Sequence, residues 1–193
     1  MTDGFRVEAV TTVATGGFLE LVEARVAQPG EVTGSGSLTR FVVRHPGAVV
    51  VVPVDADGEH VFLVRQYRVA VDGLLLEAVA GKRDVPGEPP VDTARRELEE
   101  EIGRRAGRMV ALAEFYNSPG FTDEYSYVFC ALDLEDLPEP ATVTAEEDHM
   151  TIERVPLSAL DALIASREIV DAKTIIGLSL TRAYLADEGS RGS

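Results

Sequence analysis

The stretch GKRDVPGEPPVDTARRELEEEIG, residues 81–103, decides how the rest of the chain reads. It opens as a loop rich in Gly and Pro, takes on helical composition from Val91, and closes at Gly103. Inside that helix Glu97, Glu99, Glu100 and Glu101 crowd together. Like charges three or four residues apart destabilise a helix by roughly 0.2–0.5 kcal/mol per pair, so something has to compensate. At about 100° per residue, Glu97, Glu100 and Glu101 share one edge, while Ala94, Leu98 and Ile102 form an adjacent stripe able to face a core. Three carboxylates therefore line one side of a buried helix. A solvated acidic face is the plain alternative. The other is a site for a hard divalent cation such as Mg²⁺, which takes carboxylate oxygens together with phosphate oxygens and water.

Outward from this helix the chain is β-rich. Phe5 to Thr15, Phe18 to Gln28 and Ser37 to His45 are dense in Val, Thr, Leu and Phe and are separated by Gly or Pro-Gly breaks, which predicts an antiparallel N-terminal unit. Ala48 to Val54 is continuously apolar, and Val61 to Gln66 follows an Asp-Ala-Asp-Gly turn, as expected of buried central strands joined by a hairpin. Leu74 to Val79, Met109 to Phe115, Tyr125 to Leu132 and Thr151 to Val155 read as further strands. Leu157 to Ser166 and Ala172 to Ala186 read as amphipathic helices, and Glu188 to Ser193 as a frayed tail. The acidic segment Asp133 to Asp148 reads as a long surface loop, and loops of that length in small domains are often functional. The order predicts an α+β fold layered α/β/α.

Composition narrows the function. The 193 residues carry 33 acids against 18 bases, a formal net charge of −15. Such a field repels nucleic acid and the anionic face of a membrane, so neither is expected as a partner, and an anionic substrate would need local cations or metal. The single cysteine, Cys130, lies in an apolar run and reads as core filling, which fits a reducing cytoplasmic location. No signal peptide is evident at the N-terminus, and the longest apolar stretch falls far short of the ~20 residues that span a bilayer. P-loop, dinucleotide-binding, nucleophile-elbow and Cys/His zinc patterns are all missing.

The spacing within residues 81–103 resembles the Nudix box: Gly81, six residues, Glu88, seven residues, then Arg96-Glu97-Leu98-Glu99-Glu100-Glu101-Ile102-Gly103. The family pattern has five residues in the first gap and an apolar residue where Arg104 stands. The extra residue falls in the loop and leaves the carboxylate edge intact. This resemblance implies a Nudix α/β/α sandwich with a mixed sheet. It implies that Glu97, Glu100, Glu101 and the backbone carbonyl of Ala80 hold Mg²⁺ or Mn²⁺, that Arg96 braces the carboxylates, and that Glu88 secures the loop or reaches metal through water. An ordinary ion pair of Arg96 with Glu100 is compatible with the same role.

The box names a pyrophosphate cleavage and leaves the substrate open. Pro119 in Ser118-Pro119-Gly120-Phe121, the segment Gln66-Tyr67-Arg68 and the phrase Leu76 to Gly81 are similar to the ADP-ribose pyrophosphatase subgroup. By that resemblance Arg68 grips the diphosphate, Pro119 and Gly120 are substrate-binding, Glu124 contacts the terminal ribose, and Arg40 lies near the diphosphate or adenine. A plain turn at Pro119-Gly120 and surface positions for Glu124 and Arg40 are the simpler readings. The water-activating base of the subgroup comes from a mobile loop beyond the box, here Glu147 with Glu146 as its rival; His149 is expected to face solvent. The expected arrangement is an N-terminal β unit over residues 1–45, exchanged between the subunits of a homodimer, a catalytic domain over 46–187, and a tail over 188–193. The expected reaction is ADP-ribose plus water giving AMP plus ribose 5-phosphate. Hydrolysis of other ADP- or GDP-sugars and a non-catalytic ADP-ribose sensor are the alternatives.

Overall fold

The computed structural model describes residues 4–29, 37–138 and 149–191. They divide into two units, one of Met1–Gly47 with Tyr116–Tyr125, the other of Ala48–Phe115 with Ser126–Ser193. In the first, β1 (Arg6–Gly16), β2 (Leu19–Ala27) and β3 (Leu38–Arg44) pair antiparallel in that order. Gly17, with φ of 57°, makes the β1–β2 turn that a side chain would strain. Residues 116–125 close onto β3: Val43 N–H donates to the Phe121 carbonyl, and the Asp123 carboxylate takes Arg44 Nη1 at 2.7 Å and His45 N–H at 2.8 Å. Burial in the three-stranded sheet is confined to β2, at Val22 and Ala24.

In the second unit β4 (Ala48–Pro53) is buried along its whole length. The remaining elements here are β5 (His60–Arg68), β6 (Gly73–Glu77), β7 (Val79–Lys82), α1 (Pro90–Ile102), β10 (Thr151–Pro156), a 3₁₀ turn (Leu157–Ala159), α2 (Leu160–Ala165) and α3 (Ala172–Arg191). β8 (Arg104–Tyr116) and β9 (Tyr125–Asp136) belong to this unit apart from their end residues Tyr116 and Tyr125. One sheet has the order β7-β4-β9-β8, with β4 antiparallel to β7 and parallel to β9; a second has the order β10-β5-β6, all antiparallel.

The uninterrupted apolar run of β4 follows from cover on both faces. Val49 and Val51 pack with Ala94, Leu98 and Ile102 of α1, whereas Val50 and Val52 pack with Leu178 of α3 and Leu160 of α2. Helix therefore lies on each side of a mixed sheet, as the α+β, α/β/α expectation requires. Cys130, on β9 opposite Val52 of β4, is fully buried in the core shared with Leu178 of α3, and burial pushes its thiol up to about 11, so it is core filling. No helix among the described residues is long and apolar enough to cross a membrane.

Several boundaries differ from those read in the sequence. β4 and β5 are not a hairpin pair; they belong to different sheets joined by one bridge, Val54 to Val61, because β4 takes β7 and β9 as neighbours instead. The expected strand Leu74 to Val79 splits at Ala78 into β6 and β7. β8 begins at Arg104, whose guanidinium stacks 3.9 Å over the Phe62 ring and pairs with Asp136, so the residue that departs from the apolar pattern still packs. β9 extends to Asp136 and α3 to Arg191, beyond their expected ends at Leu132 and Ala186. Apolar patterning marks where burial stops, and these ends continue as exposed, charged structure.

Candidate active site

α1 starts at Pro90 with Pro89 as N-cap and no capping side chain. Glu88 ties the loop to the first turn of the helix, accepting from the Thr93 hydroxyl at 2.7 Å, and Arg83 Nη2 donates to the Glu88 carbonyl at 3.1 Å while its guanidinium lies 5.0 Å over the Tyr127 ring. Gly103 ends the helix in the left-handed conformation, φ 65°, returning its N–H to Glu99. Ala94, Leu98 and Ile102 are buried as the stripe predicts. The carboxylate edge then takes a fixed place beside β7.

Glu97 is more withdrawn than Glu100, its side chain only 13% exposed against 41%. It lies on the backbone of Gly81. A Cβ there would sit 1.9 Å from Glu97 Cδ and 2.2 Å from Oε2, so only glycine leaves room for this carboxylate. Burial pushes the Glu97 carboxyl up to about 7, with the Arg96 charge opposing and Glu100 adding. Arg96 stands among the acids, with Nη1 2.8 Å from Glu97 and 2.9 Å from Glu100, and Nη2 3.3 Å from Asp84 and 3.6 Å from Glu88. Burial alone would lower Arg96, but Glu97 and Glu100 hold it above its ordinary value. The i,i+4 pair and the bracing role coincide in one guanidinium.

In the same unit Arg68 forms a two-pronged ion pair with Glu77, Nε–Oε1 3.0 Å and Nη2–Oε2 2.7 Å. Glu77 is 2% exposed. The hydrogen bonds to Glu77 hold Arg68 above its ordinary value, and the charges of Glu101 and Asp171 act on it in the same direction, which places Glu101 within electrostatic reach of Arg68. Two prongs of the guanidinium are committed, so a phosphate would meet the remaining edge.

The structure thus gathers Ala80, Gly81, Arg96, Glu97 and Glu100 into one neighbourhood, with Arg68 and Glu101 linked by charge. Arg40, Pro119, Gly120 and Glu124 belong to the N-terminal unit. There Arg40 is exposed and donates to the Thr39 carbonyl, Pro119-Gly120 forms a turn closed by Phe121 N–H to Ser118 O, and Glu124 N–H bonds Thr122 Oγ1. Glu146 and Glu147 lie outside the described residues. His149 is exposed, as expected. The sequence reading does not single out Glu77, Asp171 or Thr174. The available signal for Glu77 was a lone acid closing an apolar strand.

Among the described residues no three His, Cys, Asp or Glu side chains converge as a ready-made metal cage. The donors still suit a hard divalent cation. They are oxygens, one carboxylate is largely withdrawn from water in a cradle that a Cβ would fill, and the guanidinium amid them already marks the place as one that demands positive charge.

The NUDIX domain model matches residues 43–175. The ADP-ribose pyrophosphatase of Bacillus subtilis is 41% identical over 135 residues, 70% of this chain and 71% of that protein. The ADP-ribose pyrophosphatase of Mycobacterium tuberculosis is 36% identical over 179 residues, 93% and 84% of the two chains. A solved structure described as an ADP compounds hydrolase superposes with a TM-score of 0.77 at 24% identity, covering 96% of both chains, a likeness of fold.

Proposed function

The chain belongs to the NUDIX family, and from that premise we propose that it hydrolyses the pyrophosphate bond of ADP-ribose, giving AMP and ribose 5-phosphate, with Mg²⁺ or Mn²⁺ as cofactor. The observation that carries the reading is the seat of Glu97 on Gly81, a carboxylate largely withdrawn from water and packed against the backbone, whose ionised form a bound cation would favour. The choice of ADP-ribose draws on the two pyrophosphatase relatives. Glu97, Glu100, Glu101 and the Ala80 carbonyl would hold the ions, and Arg96, paired with Glu97 and Glu100, would keep the carboxylates spaced and oriented. When bound, the divalent ions neutralise charge on the diphosphate and acidify the attacking water. Arg68, fixed by Glu77, offers its free edge to a phosphate oxygen. Glu147 takes the proton from water as it attacks phosphorus, and the bond to the bridging oxygen breaks to release one phosphate monoester on each side.

The N-terminal unit serves a homodimer in this reading, exchanged between subunits so that Arg40, Pro119, Gly120 and Glu124 bind substrate in a site drawn from two chains. Its support is β1, exposed along almost its entire length with Val7, Val10 and Val13 each about half bare or more. Sedimentation checks the state; a monomer at micromolar concentration would remove this part. The substrate is tested by kcat/KM with Mg²⁺ over ADP-ribose, ADP-glucose and GDP-mannose. ADP-ribose is expected to lead, and a lower rank would overturn the choice.

A further inference from the structure

Ala78 is the residue at which the chain leaves one sheet for another, since β6 ends at Glu77 on β5 and β7 begins at Val79 on β4. Between ladders its N–H has no strand acceptor, and at 1% exposure it has no water either. It donates to Thr174 Oγ1 at 2.9 Å, a side chain 96 residues away on the first turn of α3 and itself 1% exposed. The Thr174 hydroxyl donates a hydrogen bond to Asp171 Oδ2 at 2.8 Å, and the same oxygen accepts Thr174 N–H at 2.9 Å. Lys173 Nζ, 3.0 Å from Oδ1, secures the other carboxylate oxygen. An ionised Asp171 can only accept, so the single hydroxyl proton is committed to it and the Thr174 lone pairs are left for Ala78. Besides the ladders that pair Glu77 with β5 and Val79 and Ala80 with β4, the segment 77–80 is thus held by its Glu77 side chain through Arg68 and by its Ala78 backbone through α3. Three residues past that pin, Gly81 carries Glu97 in contact too close for any Cβ.

We propose that Thr174 is a positioning residue of the active site: through Ala78 it fixes the crossing between the sheets, and so sets where the Ala80 carbonyl and Gly81 meet the carboxylate edge of α1. The proposal rests on the metal role given to that edge above. It also assigns α3, which brings no ligand, a part in metal affinity.

The test measures Mn²⁺ binding by calorimetry on the full chain, with kcat and KM for ADP-ribose beside it. Thr174→Val keeps the shape and removes the hydroxyl; Thr174→Ser keeps the hydroxyl. Thr174→Val is expected to weaken Mn²⁺ binding by about tenfold, the equilibrium cost of one unmade buried hydrogen bond, and to lower kcat more than it raises KM. Thr174→Ser is expected within about twofold of native on both readouts, as it preserves that bond. If Thr174→Val lowers the melting temperature while Mn²⁺ affinity and kcat stay native, Thr174 is merely structural and the proposal fails. Should Thr174→Val not fold, Thr174→Ala against Thr174→Ser decides it by the same criterion, equal Mn²⁺ affinity overturning the proposal. A native chain that binds no Mn²⁺ refutes the metal reading itself, a different failure from native binding that Thr174→Val leaves unchanged.

Discussion

Gly81→Ala probes the fit between β7 and α1 with one methyl group. Gly81 lies outside the left-handed region, so alanine meets no backbone strain there. The new carbon would arrive 1.9 Å from Glu97 Cδ and 2.2 Å from Cγ and Oε2. Carbon contacts settle near 3.5 Å, so the carboxylate must retreat by roughly 1.5 Å. The retreating atoms are the end of a flexible side chain at the margin of the core, and stability is expected to change by about 1 kcal/mol or less. Activity is a different matter, because a displacement of about 1 Å in a positioning group can cost on the order of 100-fold. Steady-state hydrolysis of ADP-ribose across a Mg²⁺ titration, with a urea melt of the same preparation, reads both quantities. The expected outcome is a folded protein with kcat down about 100-fold, and a double variant with Glu97→Gln no worse than the worse single change. A Gly81→Ala protein with native kcat and native Mg²⁺ dependence would refute the claim that this seat matters.

Glu97 also predicts a pH effect in metal-free protein. Its carboxyl is raised from 4.5 to about 7, so between those values the native state holds a proton that the unfolded state releases. Stability in EDTA should be greatest below pH 4.5 as far as this group is concerned and should fall as pH rises through 7, by on the order of 2 kcal/mol. Glu97→Gln should flatten that slope in urea melts at pH 5 to 8, and an unchanged slope would assign it elsewhere. Leu98→Ala, at a position with no exposure under the carboxylate edge, should cost about 2–5 kcal/mol by the same melts. Glu101→Gln should abolish turnover at ordinary Mg²⁺ while circular dichroism stays native; an undiminished rate would remove Glu101 from the metal set. Glu147→Gln should lower kcat with little change in Mn²⁺ affinity, and if Glu146→Gln proves the damaging substitution the base is its neighbour.

What was legible in the sequence is what obeys a short period. Ala94, Leu98 and Ile102 announced the buried face of α1, and the offset of Glu97 and Glu100 announced an edge beside it, because both follow from 3.6 residues per turn. The unbroken apolar run from Ala48 announced a strand covered on two sides. Partnership between strands was less legible, since β4 pairs with β7 and β9 rather than with β5, and apolar composition names no partner. The contacts that fix the site were hidden for the same reason. Thr174 reads as an ordinary helix residue until it is found against Ala78, and Gly81 as a loop glycine until Glu97 is found lying on it.

The parallel pairing of β4 with β9 has a consequence for biosynthesis. Val49 lies opposite Tyr127 and Val52 opposite Cys130, so roughly eighty residues must be made after β4 before its neighbour exists. Until then a run of valines leaves the ribosome with one long edge unmatched, a segment prone to association with other nascent chains. Folding of the central sheet is expected to wait for translation past Leu132, and truncations ending before Tyr125 should collect in inclusion bodies.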